Sequence, residues 1–262
     1  MQYRLSGLLV AVLCAGEALA QTSAVSPHQG QGNFAAPPPV NMRSVKTGAP
    51  YSADEVTENV QTLADGTHIT RTNAPTKVYR DSVGRTRKER PLFHGDAKAE
   101  ASPDWPQVIE IVDPVAQFKY VLDVSGKVAH RQQLQVVEPE PRRRSGAIVK
   151  PAAQTGDEAK PQTNSEKLGT QTIEGVLAEG TRTTFIYPTG SQNNDRPITV
   201  VTEMWMSPDL RVMVLDKHSD PRMGDFTMKL TNITRGDPPA TLFQIPPDYT
   251  VVDEPGAFTL KY

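Results

Sequence analysis

Pro197–Asp216, PITVVTEMWMSPDLRVMVLD, constrains the fold more than any other stretch. Apolar, β-branched and aromatic residues crowd two short runs on either side of Ser207-Pro208-Asp209-Leu210. Ser, Pro and Asp supply the chemistry of a turn, so the two runs predict an antiparallel strand pair. A lone pair of strands is barely stable in water, so further strands must lie against it. The stretch holds Trp205, one of only two tryptophans in the chain.

The rest of the chain supplies such strands. Glu55–Leu63 and Thr67–Thr72 flank Asp65-Gly66, a hairpin signal in which both turn positions are expected at positive φ. Ser52 with Glu55 also matches a capping box, which leaves a short helix over Ser52–Val60 as the alternative. Lys77–Arg80 and Arg85–Glu89 flank a Gly84-containing turn, and Phe93–Trp105 reads as a loop. Gln107–Asp113, Gln117–Asp123 and Lys127–Leu134 read as a meander. In its middle run Phe118, Tyr120 and Leu122 share one face while Lys119 and Asp123 take the other, the alternation of a half-buried strand. Gly169–Val176, Thr181–Tyr187 and Asp225–Thr234 follow the same style, and Thr241–Ile245 and Tyr249–Val252 close the array around Pro246-Pro247.

The fold class expected is mainly β, a curved antiparallel sheet. Met1–Arg4 is a basic start, Leu5–Ala15 is apolar, and Ala18-Leu19-Ala20 is a small-residue cleavage site, so residues 1–20 read as a secretory signal peptide. Its apolar run is shorter than the roughly 20 residues that span a bilayer. The single cysteine, Cys14, lies inside it after Leu13, and lipidation there is the minor alternative. Cleavage after Ala20 leaves no cysteine, so stability must come from burial alone. Residues 21–50, with Pro37-Pro38-Pro39 and no apolar period, read as a disordered leader. Residues 135–167 carry EPEP, Arg142-Arg143-Arg144 and KPAAQ, and read as a flexible insertion in a single domain over 51–252. Two domains are the alternative. Residues 253–262 are read as a C-terminal tail.

Met204-Trp205-Met206, the Ser-Pro-Asp turn, a strand into Asn232-Ile233 and the closure Leu242-Phe243-Gln244-Ile245-Pro246-Pro247-Asp248-Tyr249 occur in a telling order. This part, Pro197–Val252, resembles the C-terminal region of the LolA-like and RseB-like periplasmic half-barrel class. Val78–Glu89, VYRDSVGRTRKE, is similar to a phrase of uncharacterised secreted bacterial proteins. The resemblance implies a half-barrel with an apolar concave face, a periplasmic or extracellular location and no catalytic residue.

The chemistry-bearing residues allow few other readings. A net charge of −2 argues against a dedicated nucleic-acid or anionic-membrane binder. No later stretch is apolar enough to cross a membrane. Met204, Met206, Met213, Met223 and Met228 fall close together. Thioethers on strands suit a surface for varied apolar ligands, and Met204, Trp205, Met206, Phe226 and Met228 are the candidate ligand-binding residues, for a lipid or other apolar ligand. Trp205 joins the two flanking methionines only if the strand bulges or twists. Ordinary core packing is the plain alternative. Arg80, Arg85, Arg87, Lys88 and Arg90 read as a solvated basic face, with Arg85 and Arg87 as candidate contacts to an anionic surface. Lys217-His218-Ser219-Asp220 has triad residue types, but neighbouring strand side chains diverge. His28, His68, His94, His130 and His218 show no metal-ligand spacing, and neither metal nor cofactor is expected. The two functions in view are a binding module for an apolar ligand and an envelope protein-interaction domain. A hydrolase built around His130 or His218 is a distant third.

Overall fold

The computed structural model describes residues 33–35, 45–92, 107–134 and 161–261. The signal-peptide reading, most of the leader, the Phe93–Trp105 loop and most of the insertion fall outside them. In chain order the strands are β1 (Asn33–Ala35), β2 (Tyr51–Thr62), β3 (His68–Thr72), β4 (Thr76–Arg80) and β5 (Thr86–Pro91). Then come β6 (Gln107–Asp113), β7 (Phe118–Asp123), β8 (Val128–Gln133), β9 (Gln162–Ile173) and β10 (Val176–Tyr187). β11 (Ile198–Ser207), β12 (Val212–Asp220), β13 (Gly224–Arg235), β14 (Thr250–Asp253) and β15 (Thr259–Lys261) complete the set. A single 3-10 turn, Ala240–Phe243, is the one helical element among the described residues.

Two antiparallel meanders meet along one seam. β4 to β8 run consecutively on one side and β9 to β13 on the other. β2 joins them, pairing with β4 and β3 along one edge and with β13 along the other. β14 adds to the far edge beside β8 in the parallel sense. The result is one open, curved, mixed sheet of 13 strands, not closed into a barrel. β1 and β15 form a separate two-stranded ribbon. The mainly-β expectation holds, with one parallel edge added.

Local chemistry explains the turns. Leu63–Thr67 links β2 to β3, and only Gly66 there takes a positive φ, +85°. Asp65 does not, because its carboxylate accepts the Thr67 N–H at 2.9 Å and closes a longer loop. The capping-box alternative fails at Ser52, since Tyr51–Thr62 is strand throughout. Between β11 and β12 the Leu210 N–H donates to the buried Ser207 hydroxyl, and Arg211 takes a φ of +50°. Arg80 secures this turn from β4. Its guanidinium donates to the Leu210 and Ala49 carbonyls and lies 4.8 Å over the Tyr51 ring.

Burial falls in three clusters. The largest gathers Tyr51, Ala53 and Val78 with Val176, Ala178, Trp205, Leu215 and Leu230 around the seam. The second packs Phe243, from the 3-10 turn, onto Ile111, Leu122 and Ala129 of the β6–β8 meander, with Leu242, Ile245 and Tyr249 around it. The third sets Leu260 of β15 against Val108 and Val121. Val108 and Val121 alternate with Ile111 and Leu122 along their strands, so the meander is covered on both faces. The half-buried reading of β7 is corrected accordingly. Lys119 is 1% exposed, 3.4 Å from Glu110, which also binds Arg90. Burial pushes the Lys119 ammonium below its ordinary pKa, and Glu110 pulls against that shift.

Four sequence expectations change at the margins. Residues 162–167, assigned to the insertion, are the first half of β9. Residues 259–261 of the tail are strand, and Leu260 is core. Ala49, at the end of the leader, is buried. Thr241–Ile245 is a 3-10 turn and its exit rather than a strand.

Two outcomes test this packing. A Cβ on Gly180 would stand 2.6 Å from the Trp205 ring. Gly180→Ala should therefore lower stability by about 1–3 kcal/mol in urea titration, with a changed Trp205 near-UV signal. Glu110→Gln takes the carboxylate away from the covered Lys119 ammonium and should cost up to about 3–5 kcal/mol, whereas Lys119→Met should be neutral or stabilising by about 1–4 kcal/mol in the same titration.

Candidate functional site

Register alone arranges the side chains of β10 to β13. Directly opposed residues of antiparallel neighbours share a face, and successive rows alternate between faces. One row runs Thr181, Met204, Asp216, Met228 and Thr57 across β10, β11, β12, β13 and β2. A second, on the same face, runs Thr183, Thr202, His218, Phe226 and Asn59. Glu179 opposes Met206 one step beyond Thr181 and Met204. The sheet thus brings Met204, Met206, Phe226 and Met228 to one face.

That face is open. Met204 is 41% exposed and Met206 42% exposed, while Phe226 and Met228 are half-buried. None of these four belongs to any of the three core clusters. Ordinary core packing therefore does not account for them. Exposed Leu177 extends the patch along β10. Apolar side chains left together on a well-registered sheet mark a surface with work to do.

Trp205 does not join them. It opposes Gly180 and Leu215 in the intervening row, so it points to the other face and is buried. A bulge does interrupt the pairing of β11 with β12, between Trp205 and Met206, but Trp205 stays stacked on Gly180. The tryptophan is a core residue beneath the site rather than part of its surface.

The opposite face is charged. Glu166, Arg182, Glu203, Lys217 and Thr227 form one row. Arg182 bridges the two acids, at 2.9 Å to Glu166 and 2.8 and 2.5 Å to Glu203. Hydrogen bonding to both acids raises its pKa further. A recess of about 320 Å³ lies beside this row, lined by Glu203, Lys217, Asp225 and Thr227 and also by His218 and Phe226.

Arg85 and Arg87 are engaged in internal contacts. Arg85 pairs with Asp81 at 2.5 Å and lies 5.0 Å over the Phe243 ring. Arg87 pairs with Glu89 at 2.7 Å and donates to the Leu242 carbonyl at 2.9 Å. The two hold the 3-10 turn onto the sheet. Arg80 is buried as described, so the basic stretch is not one solvated face. Lys88 is its most exposed cation, paired loosely with Glu55 at 3.8 Å.

The triad residue types do not converge. His218 Nδ1 meets the Thr202 hydroxyl at 3.0 Å, on the methionine face. Ser219 opposes Val201 and Asp225 on the other face. Asp220 is held by Arg222 at 2.7 and 2.9 Å, and that hydrogen bonding lowers its pKa. His130 is likewise engaged, at 2.8 Å from Glu254 and stacked on Phe258. No group of three or more His, Cys, Asp or Glu suited to a metal occurs among the described residues. No described helix is long and apolar enough to cross a membrane.

No family model matches the chain, and no curated protein does. Among solved structures, an uncharacterized conserved protein from Thermus thermophilus is similar at 9% identity and a TM-score of 0.38. The match covers 79% of this chain and 91% of that one. MucB in complex with MucA(peri) is similar at 12% identity and a TM-score of 0.35, over 78% of this chain and 56% of that one. The Pseudomonas aeruginosa MucA/MucB complex gives 11% and 0.34, over 77% and 58%. This chain spans less than two thirds of the matched chains in the two MucB structures. Such likeness carries no ligand or partner across.

Burial separates surface from support. Met204→Lys and Met206→Lys should each move the unfolding free energy by no more than about 0.5 kcal/mol. Trp205→Ala should cost about 3–5 kcal/mol. Chemical denaturation followed by far-UV circular dichroism measures all three.

Proposed function

We propose that this chain is an exported, non-enzymatic binding module of the cell envelope, and that its working surface is the methionine face of β10 to β13. One observation carries the reading: Met204, Met206, Phe226 and Met228 lie together on a rigid sheet, outside every core cluster. Methionine is unbranched and polarizable, so a row of thioethers adapts to varied apolar side chains. Export rests on the signal-peptide pattern of residues 1–20.

A protein segment suits this face better than a stored lipid. Sites that hold small apolar ligands are concave and mostly apolar. Here Met204, Met206 and Met228 stand on an open face, and the recess, which reaches His218 and Phe226, is otherwise lined by Glu203, Lys217, Asp225 and their neighbours. An acyl chain laid in that recess would strip water from charges without replacing it. A flat apolar patch with polar surroundings has the composition of an interface core with its rim. The apolar-ligand reading keeps one argument, the exposure of Met204 and Met206 themselves.

The test pairs two measurements on the chain purified from the exported fraction. Native mass spectrometry with organic extraction should find no stoichiometric lipid. A photo-crosslinking side chain at position 204 or 206 should yield a discrete protein adduct, lost on Met228→Asp. The same crosslinker at position 163 on β9 should yield none. Co-purifying lipid lost with Phe226→Asp in a folded protein would reverse the choice of ligand. Absence of both lipid and adduct would remove the surface from consideration.

A further inference from the structure

The methionine face also carries acid that no described residue neutralises. Asp216 sits between Met204 and Met228 in the central row. Its Oδ1 is shielded from solvent and has no hydrogen-bond partner. A buried polar atom left unpaired is costly and calls for a reason. Glu179, exposed, stands beside Met206 on the same face. Neither Asp216 nor Glu179 has an ion-pair partner among the described residues. On the opposite face, by contrast, Glu203 is held by Arg182.

The cations of this face are remote from Asp216 or already engaged: Arg222 is held by Asp220, four residues along β12, and lies over the Tyr187 ring. Lys167 of β9 opposes Thr181, and Arg71 of β3 opposes Asn59. Each lies three strands from β12, about 14 Å at ordinary strand spacing. His218 is two residues from Asp216 on its own strand, with Nδ1 at the Thr202 hydroxyl. The surface is therefore apolar with an uncompensated negative centre.

We infer that the segment this face receives is cationic as well as apolar: a peptide in which Lys or Arg lies among apolar side chains, with one cation seated on Asp216 between Met204 and Met228. The inference rests on the proposed reading of this face as a protein-binding surface. It adds the chemistry of the partner. The apolar side chains would cover the thioethers, while the ammonium or guanidinium donates to the carboxylate that now lacks a donor. Glu179, beside Met206, would receive a second cation from the same segment. Complementary charge of this kind selects among partners of equal apolar content.

Methyl-13C methionine NMR of the full chain reads this directly, because Met204, Met206 and Met228 report from the face and the far more exposed Met223 serves as control. Short peptides alternating Val with Lys, Gln or Glu are the probes. The Lys peptide should shift Met204, Met206 and Met228 and bind at least about tenfold tighter than the Glu peptide. The preference should weaken as salt is raised. Asp216→Asn, with an unchanged thermal midpoint, should remove most of the preference for Lys over Gln, and Glu179→Gln should remove part of it. Equal binding of all three peptides, or a preference unchanged in Asp216→Asn and Glu179→Gln alike, overturns the inference but leaves the binding face standing. If no peptide moves the three reporter methyls, or if phosphatidylcholine vesicles move them instead, the protein-binding reading fails and the inference with it.

Discussion

The seam between β2 and β13 is the pairing on which everything else depends. It joins Tyr51–Val60 to Asp225–Arg235 across most of the chain. Without it the two meanders would be separate sheets with raw edges, each short of partners for its apolar residues. Such a pairing carries a large loop-closure cost, which local contacts cannot offset until the flanking strands are in place. The compensation is visible around it. Tyr51, Ala53, Val78 and Leu230 bury together along it. Arg80 ties the neighbouring β4 to Ala49 and to the Leu210 turn. At the bulge in β13, Asn232 takes a φ of +53° and its amide donates to Asp54 at 2.8 Å. That hydrogen bond fixes the register where the ladder is interrupted.

The seam also explains why the two halves present such different surfaces. Beyond β13 the chain passes to the β4–β8 meander, where Phe243 closes one face and Leu260 the other. Between them the chain lies along β8 as β14, with Arg131 gripping Asp253 at 2.6 and 2.9 Å and Gln132 donating to the Gly256 carbonyl. Leu242, Ile245, Tyr249 and Phe258 pack there as well, so the C-terminal segment covers this half and not the other. The β10–β13 half contributes Trp205, Leu215 and Ala178 to the core on one side, and no described segment lies over Met204 and Met206 on the other. An exposed methionine face thus follows from topology: one meander is wrapped by the C-terminal segment, and the other is not.

Much of this was legible from residues. Period-2 alternation placed the meander β6–β8, the β11–β12 pair and β13 within a residue or two, because each is bounded by Gly, Pro, Asn or Asp. The grouping of Met204, Met206, Phe226 and Met228 followed from the same rule once the strands were drawn. Three things were hidden. Lys119 reads as solvent-facing, yet it is core, on the same face of β7 as Val121, against which Leu260 packs. Arg80, Arg85 and Arg87 read as a solvated patch, but their partners, Leu210, Phe243 and Leu242, lie more than a hundred residues away. Gln162–Lys167 reads as insertion because an edge strand whose side chains are nearly all exposed carries no apolar alternation to detect. In each case the missing information was a long-range contact, which local pattern does not encode.

Exposure is what turns a common composition into a specific surface. Methionine is ordinary in a core, and Met204, Met206 and Met228 packed inside would have said nothing about function. Here Trp205 against Gly180 supports from the other face the strands that present Met204 and Met206, while Leu230, two residues from Met228, carries the methionine face into the core. A ligand arriving on this face need not order the sheet, since the support is already in place. The binding energy left over is then available for discrimination. In the proposed reading, discrimination falls to the polar groups set among the methionines, the carboxylate of Asp216 first among them, beside the His218–Thr202 pair. A flexible apolar surround with one rigid charge at its centre tolerates many shapes and a single sign, which is the division of labour expected of a module that must hold one class of partner without matching it atom for atom.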